Sequence, residues 1–243
     1  MTTTAPEVRP LSPAGIANVD AGVRFRKDTE DHRLTILHDD SLYRHLRFKA
    51  EAGNFYWYDL ITWPGSLTFH GDMGTFTFSR CDDMFEFFRS KKGWPIDDQH
   101  RINPGYWAEK TPTGGRDCEA YDVDTLTRNI WEDINDLLER AAWPDSVAQQ
   151  LRDQVQTELI DELADHEDTD RALLDAFRFE HVDEVPGILT SAPAYRYEFR
   201  DTWEWDTTAW TFHFLWACHA IVTGIEQYDA AKQSQTTPEG GSR

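Results

Sequence analysis

Cysteine is scarce: the chain has three, Cys81, Cys118 and Cys218, far apart and odd in number. No CxxC pair exists, so neither a zinc site nor a disulfide framework is indicated, and a reducing cytoplasm is the expected setting. Apolar runs are also short. The longest, near 210–225, is interrupted by His213 and His219, which makes it too short and too polar to span a bilayer. The opening Met1-Thr-Thr-Thr-Ala-Pro-Glu7 has no basic segment followed by an apolar one, so it does not read as a secretory signal. Catalytic signatures are missing as well: there is no Walker A loop, no GxGxxG, no GxSxG and no HExxH. The nine histidines do not fall at metal-ligand spacing, and Asp165-His-Glu-Asp-Thr-Asp170 lacks the glycine and register of a calcium loop. Neither a metal nor a cofactor is expected.

Positive charge is the next shortage. The formal net charge is −20, unevenly spread: residues 1–110 hold 14 basic and 16 acidic side chains, residues 111–243 hold 10 and 28. A phosphate backbone would be repelled by the C-terminal half, which argues against nucleic-acid or anionic-membrane binding there. Between Ala141 and Glu184 there are 13 acidic and 3 basic residues. A solvated helical face that keeps the protein soluble explains them, but such helices also match a basic host protein, in the manner of a DNA mimic.

What the chain does have is length and aromatics. Its 243 residues suit one large domain, and 10 Trp, 8 Tyr and 14 Phe suit an aromatic core. The aperiodic, Thr/Pro/Gly-rich ends, 1–21 and 232–243, are expected to be disordered arms around a single domain over 22–231. Leu34–Leu37 and His45–Phe48 read as strands, with the basic residues between Arg24 and Lys49 on a solvated face. Tyr56–Ile61, Leu67–His70 and Thr75–Ser79 alternate on either side of Pro64-Gly65 and Gly71-Asp-Met-Gly74, which predicts a three-stranded antiparallel meander. Both faces of the first of these strands carry apolar groups, as a covered central strand would.

A short helix should follow, capped by Asp82 or Asp83, with Met84, Phe85, Phe87 and Phe88 on the sheet and Lys91-Lys92-Gly93 at its end. Residues 93–120 read as a long loop. From Asp122 helical spacing takes over: Val123 to Ala141, Ser146 to Ala164, and Thr169 to Phe179, up to a break at Pro186-Gly187. A strand Tyr195–Phe199 and a buried helix over 207–231 close the chain. The β-rich half is 22–110, the acidic helical part 122–180, and the buried C-terminal strand and helix 195–231. The fold class is α+β, an antiparallel β-meander packed against a short aromatic helix and a C-terminal set of helices.

The runs Trp57-Tyr-Asp-Leu-Ile-Thr-Trp-Pro-Gly65, Gly71-Asp-Met-Gly-Thr-Phe-Thr-Phe-Ser-Arg80, Asp83-Met-Phe-Glu-Phe-Phe-Arg89 and Ile102-Asn-Pro-Gly-Tyr-Trp-Ala-Glu-Lys110 resemble a family of uncharacterised proteins of tailed bacteriophages and prophages. So does Tyr195–Tyr228, which ends in a helix with Trp216 and Cys218. The resemblance spans roughly residues 34–110 and 195–230. It implies a phage origin and action in the host cytoplasm, and implies no reaction.

Chemistry, if the predicted meander carries any, should lie on its polar edge, facing the 102–110 segment. His70, Asp72, Asn103 and Lys110 are the catalytic candidates, and Arg80, Tyr106 and Trp107 the binding candidates. His70 and Asp72 are two apart and share a face if the strand continues, and Asn103–Lys110 mixes a rigid turn with polar and aromatic groups. The structural alternatives are a hairpin turn, an Arg80 ion pair with Asp82 or Asp83, and a lid closed by Tyr106 and Trp107. His213 and His219 read as core histidines. Three functions compete: an accessory protein that binds and modulates a basic host macromolecule through its acidic surface; a small-molecule or nucleotide-processing enzyme with a site between the 70–80 hairpin and the 102–110 loop; and a nucleic-acid binder using the basic, aromatic residues 24–58.

Overall fold

The computed structural model describes residues 13–89, 101–163, 169–183 and 195–236. The helix end expected at Lys91–Gly93, the acidic run 165–168 and the Pro186-Gly187 break lie outside the described residues. The chain divides into two compact units, 1–119 with 210–243, and 120–209, where one domain was expected.

In the first unit, helix α1 (Pro13–Asp28) leads into a meander of five antiparallel strands in sequential order: β1 (His32–Asp40), β2 (Tyr43–Ala50), β3 (Tyr58–Trp63), β4 (Ser66–Gly71) and β5 (Gly74–Ser79). Two short helices follow, α2 (Met84–Phe88) and α3 (Pro104–Ala108). The expected three strands are the last three of the five. Register aligns the inward residues in rows: Leu46, Leu60, Phe69 and Phe76 face one another across β2 to β5. Phe48 and Tyr58 are likewise opposite, as are Leu67 and Phe78. All of these are buried. Period-two alternation thus produces one apolar face.

Helix α8 (Phe212–Thr236) covers that face. Every residue from Phe214 to Val222 is buried, which requires cover on more than one side. The sheet supplies one side, with Trp216 meeting Tyr58 edge-on at 5.7 Å and Phe69 at 6.1 Å. Helix α1 supplies another through Phe25, whose ring meets Trp216 edge-on at 4.9 Å. Two glycines set these distances. A Cβ on Gly224 would sit 2.7 Å from Leu60 Cδ1, and one on Gly22 would sit 2.8 Å from His219 Cε1.

Helix α1 therefore occupies residues 13–21 of the stretch expected to be a disordered arm. Its small residues and glycines look like linker composition, yet Asn18, Ala21 and Phe25 are buried against α8. The last helix runs past the boundary expected at 231 for a related reason. Tyr228 and Lys232 both donate to Asp39 of β1 at 2.9 Å, and Asp229 accepts two bonds from Arg89, which holds the helix through to Thr236. Of the two expected core histidines, His219 is buried, with Nε2 2.9 Å from Asn18 Oδ1, while His213 is exposed.

In the second unit, β6 (Glu119–Tyr121) and β9 (Thr208–Trp210) pair where the chain leaves and returns. Between them lie α4 (Val123–Ala141), α5 (Asp145–Val155), a π turn (156–160) running into α6 (Asp161–Leu163), α7 (Thr169–Arg178), and the antiparallel pair β7 (Glu180–Asp183) and β8 (Tyr195–Glu198). Asp122 caps α4, its carboxylate accepting from Thr125 N at 2.9 Å. Leu126, Ile130, Ile134, Leu151, Val155, Leu159, Phe179, Tyr197 and Phe199 form a separate core. The helix boundaries read from spacing hold within a few residues, except that 208–210 is strand and α8 starts later.

Gly224→Ala is expected to lower the unfolding free energy by about 1–3 kcal/mol, because overpacking outweighs the ~1 kcal/mol gained in helix propensity. A urea midpoint that falls at constant m checks this, and an unchanged midpoint would mean that α8 tolerates a wider seat on the sheet.

Candidate functional site

The seven sequence-predicted residues do not gather. His70 stands exposed on the sheet face opposite α8, with Nδ1 2.8 Å from Thr75 Oγ1. Asp72 sits in the β4–β5 turn and accepts from Tyr56 N at 2.6 Å, so its carboxylate holds the segment before β3 rather than His70. At the other end of β5, Ser79 N donates to Lys110 O at 2.9 Å. The strand between, Gly74 to Ser79, separates the hairpin tip from the 102–110 segment by roughly 17 Å at the usual rise per residue.

Within that segment the polar groups have local work. Asn103 caps α3, accepting from Tyr106 N at 3.2 Å, and the Lys110 ammonium bonds Glu109 at 2.9 Å while lying 4.3 Å from the Tyr106 ring centroid. Trp107 is buried edge-on to Phe88 at 4.8 Å, and Tyr106 stays half exposed beside Phe87. This is the lid alternative: the loop closes the core. Arg80 is exposed, and the Asp83 expected as one of its partners instead grips Arg44 with both oxygens, at 2.9 and 3.1 Å, and caps α2 through Phe85 N.

Register builds a different cluster on the face opposite α8. Arg47, Asp59, His70 and Thr75 stand directly across from one another on β2 to β5. Asp59 is only 3 % exposed, and receives Arg47 Nε and Nη2 at 2.9 and 2.8 Å and His45 Nε2 at 2.8 Å. Burial alone would raise the Asp59 pKa, but the Arg47 and His45 hydrogen bonds outweigh it, so the carboxyl is held below its ordinary value. Trp57 covers the row, 5.5 Å from both the Arg47 guanidinium and the His70 ring. The covered second face expected for β3 is thus made by side chains of the sheet itself. The sequence signal was present, an Asp inside an apolar alternation opposite His-Leu-Arg, but strand register was needed to join the two. The cluster is a satisfied polar network, with its carboxylate committed to Arg47 and His45.

Four of the seven Lys and Arg residues of 24–58 are similarly engaged. Arg24 bonds Asp28 and Tyr56, Arg33 bonds Glu51, Arg44 bonds Asp83 and Arg47 bonds Asp59. Carboxylates already occupy the forks that a phosphate would use.

The second unit presents the opposite situation. Residues 120–209 hold 23 acidic side chains, 7 arginines and no lysine, so they carry −16 of the −20. Leu174 and Phe177 on α7 and nearby Trp203 are 43, 50 and 64 % exposed, and the Phe177 and Trp203 rings lie 6.2 Å apart. A cavity of about 280 Å³ lined by Glu158, Glu162, Asp175 and Arg178 over Leu159, Leu163 and Phe179 opens between α6 and α7. Acid and exposed apolar groups therefore share α7. Among the described residues no cluster of His, Cys, Asp and Glu is arranged to hold a metal ion, and no helix is long and apolar enough to cross a membrane.

Comparison with protein-family models, with curated proteins and with solved structures finds no match.

Asp59→Asn is expected to cost about 1–3 kcal/mol at neutral pH, since it strips Arg47 and His45 of a charged acceptor. Because the folded pKa of Asp59 is depressed, its contribution is present above the ordinary carboxylate range and is lost as pH falls through the folded value. Denaturant midpoints of the two proteins should converge on acidification, and a gap that persists into strong acid would show that the substitution acts through packing.

Proposed function

We propose that residues 120–209 form a docking module through which the protein engages and modulates a basic partner protein, as an accessory factor of phage origin acting in the host cytoplasm. One observation carries the reading: negative charge is segregated by compact unit, −16 on 120–209 against −4 on the remainder. A charge requirement for solubility would be met by acids spread over both units. Concentrated in one, they generate a field that speeds encounter with a positively charged surface.

The acidic surface also has an apolar anchor. Field alone gives on-rate and little selectivity, whereas exposed aromatics beside a charged rim supply the buried contact that slows dissociation. Leu174, Phe177 and Trp203 fill that role, and Glu158, Glu162 and Asp175, which line the cavity at α6 and α7, receive Lys or Arg. The partner is thus a basic surface with an apolar centre, such as the phosphate-binding face of a nucleic-acid-handling protein. For the enzyme alternative no comparable observation exists, since His70 and Asp72 lie a strand length from Asn103 and Lys110.

The test is capture from bacterial lysate by the immobilised chain at low and high salt. A basic protein should be retained at low salt and released at high salt, and its retention should fall at least about tenfold for Phe177→Ala combined with Trp203→Ala. Equal capture by that variant, or capture that survives Glu158→Lys with Glu162→Lys and Asp175→Lys, would overturn the proposal.

A further inference from the structure

The seven arginines of residues 120–209 are not scattered through the acidic unit. Three of them, Arg140, Arg196 and Arg200, line one cavity of about 620 Å³ together with Asp133, Leu137, Tyr197 and Glu198. Two elements build it. Asp133, Leu137 and Arg140 stand four and three residues apart, on one stripe of α4. Arg196, Glu198 and Arg200 alternate with the buried Tyr197 and Phe199 along β8 and just past it, so the three charged groups share the outward face.

Charge balance does not explain the grouping. Neutralising the unit's 23 carboxylates does not require three arginines at one opening, nor that each hold a carboxylate tightly. Arg196 holds Glu180 at 2.8 Å, but its contact with Glu198 is 4.0 Å. Arg200 is 80 % exposed in its side chain and reaches Glu198 only at 3.4 Å. Arg140 has no carboxylate within ion-pair distance among the described residues, and its one hydrogen bond is Nε to Asp136 O at 2.9 Å. A cation in the last turn of α4 suits the helix dipole, but that does not bring two more from β8. Of the two acids in the lining, Asp133 is already taken as acceptor by the Tyr197 hydroxyl. Burial, together with that bond to a carboxylate, keeps the phenol neutral by raising its pKa.

We propose that this cavity binds a small organic phosphate of nucleotide size. Guanidinium forks match phosphate oxygens in pairs, and among the described residues neither Arg140 nor Arg200 holds a carboxylate more closely than 3.4 Å. The volume lies within the ordinary range for small-ligand sites, and Leu137 offers an apolar wall for the organic part. The unit's negative field does not forbid it: at physiological salt distant acids are screened over about 8 Å, while a bound phosphate touches the guanidinium groups directly. Binding would displace Glu198 from its long contacts at little cost.

Titration calorimetry on the full chain, at low salt, with pyrophosphate, ATP and citrate as probes tests this. ATP and pyrophosphate should bind saturably at one site, with Kd raised at least about tenfold by Arg140→Ala or Arg196→Ala and partly restored by Arg140→Lys, which keeps the charge without the fork. Arg152→Ala, on α5 and outside the lining, should leave Kd unchanged. Circular dichroism confirms that each variant is folded. No saturable binding of either phosphate, or equal binding by Arg140→Ala, would overturn the assignment, and citrate binding as tightly as ATP would overturn its phosphate specificity.

Discussion

Helix α8 can lie on the sheet only because Gly224 has no side chain there, and the whole first unit depends on that seat. At a wider spacing Trp216 would lose its edge contacts with Tyr58 and Phe69, and the aromatic face of β2–β5 would be left to the short α2 for cover. The far side of α8 then needs a second layer, which explains α1 and its own small residue at the crossing, Gly22 against His219. The ion pairs at the helix end, Asp39 with Lys232 and Asp229 with Arg89, are exposed or half-buried and individually weak. They fix where α8 stops, whereas the glycine contact fixes where it lies.

This also explains what could be read in the sequence. Alternation at 67–79 gave the inward face of β4 and β5 correctly, and 3.6-residue spacing gave α4, α5 and α7, since both signals are local. Helix α1 was missed because its residues are chosen for what they touch two hundred positions away. Gly22, the first residue after the expected arm, is a clearance for His219. The candidate site failed for the opposite reason. His70, Asp72, Asn103 and Lys110 look like free functional groups in one dimension, but each meets a local need: a cross-strand bond, a turn, a cap, a neighbouring glutamate. Short polar side chains beside turns are often committed to backbone in this way.

The ionic row Arg47–Asp59–His45 was illegible for a further reason. Its members are 12 to 14 positions apart and meet only because β2 and β3 pair in a register set by the apolar residues on the other face. A shift of one residue would swap Asp59 with Leu60 and bury a carboxylate among Phe48, Phe69 and Trp216. The cluster therefore adds a penalty to wrong pairings as well as a contribution to the right one.

The same coupling between a core stripe and what stands beside it governs the second unit. Leu126, Ile130 and Ile134 fix the rotation of α4 by entering the core. Once that rotation is fixed, Asp133, Leu137 and Arg140 have no freedom to choose a side, and they fall where β8 brings Arg196, Tyr197 and Arg200. On β8, burial of Tyr197 and Phe199 likewise forces Arg196, Glu198 and Arg200 outward together. Neither element alone marks a site, since a basic residue ending a helix and an Arg-Glu-Arg alternation on a strand are both ordinary surface patterns. The cationic cavity exists because two independent apolar patterns orient their polar complements toward one space, in a unit whose other surfaces are dominated by carboxylates.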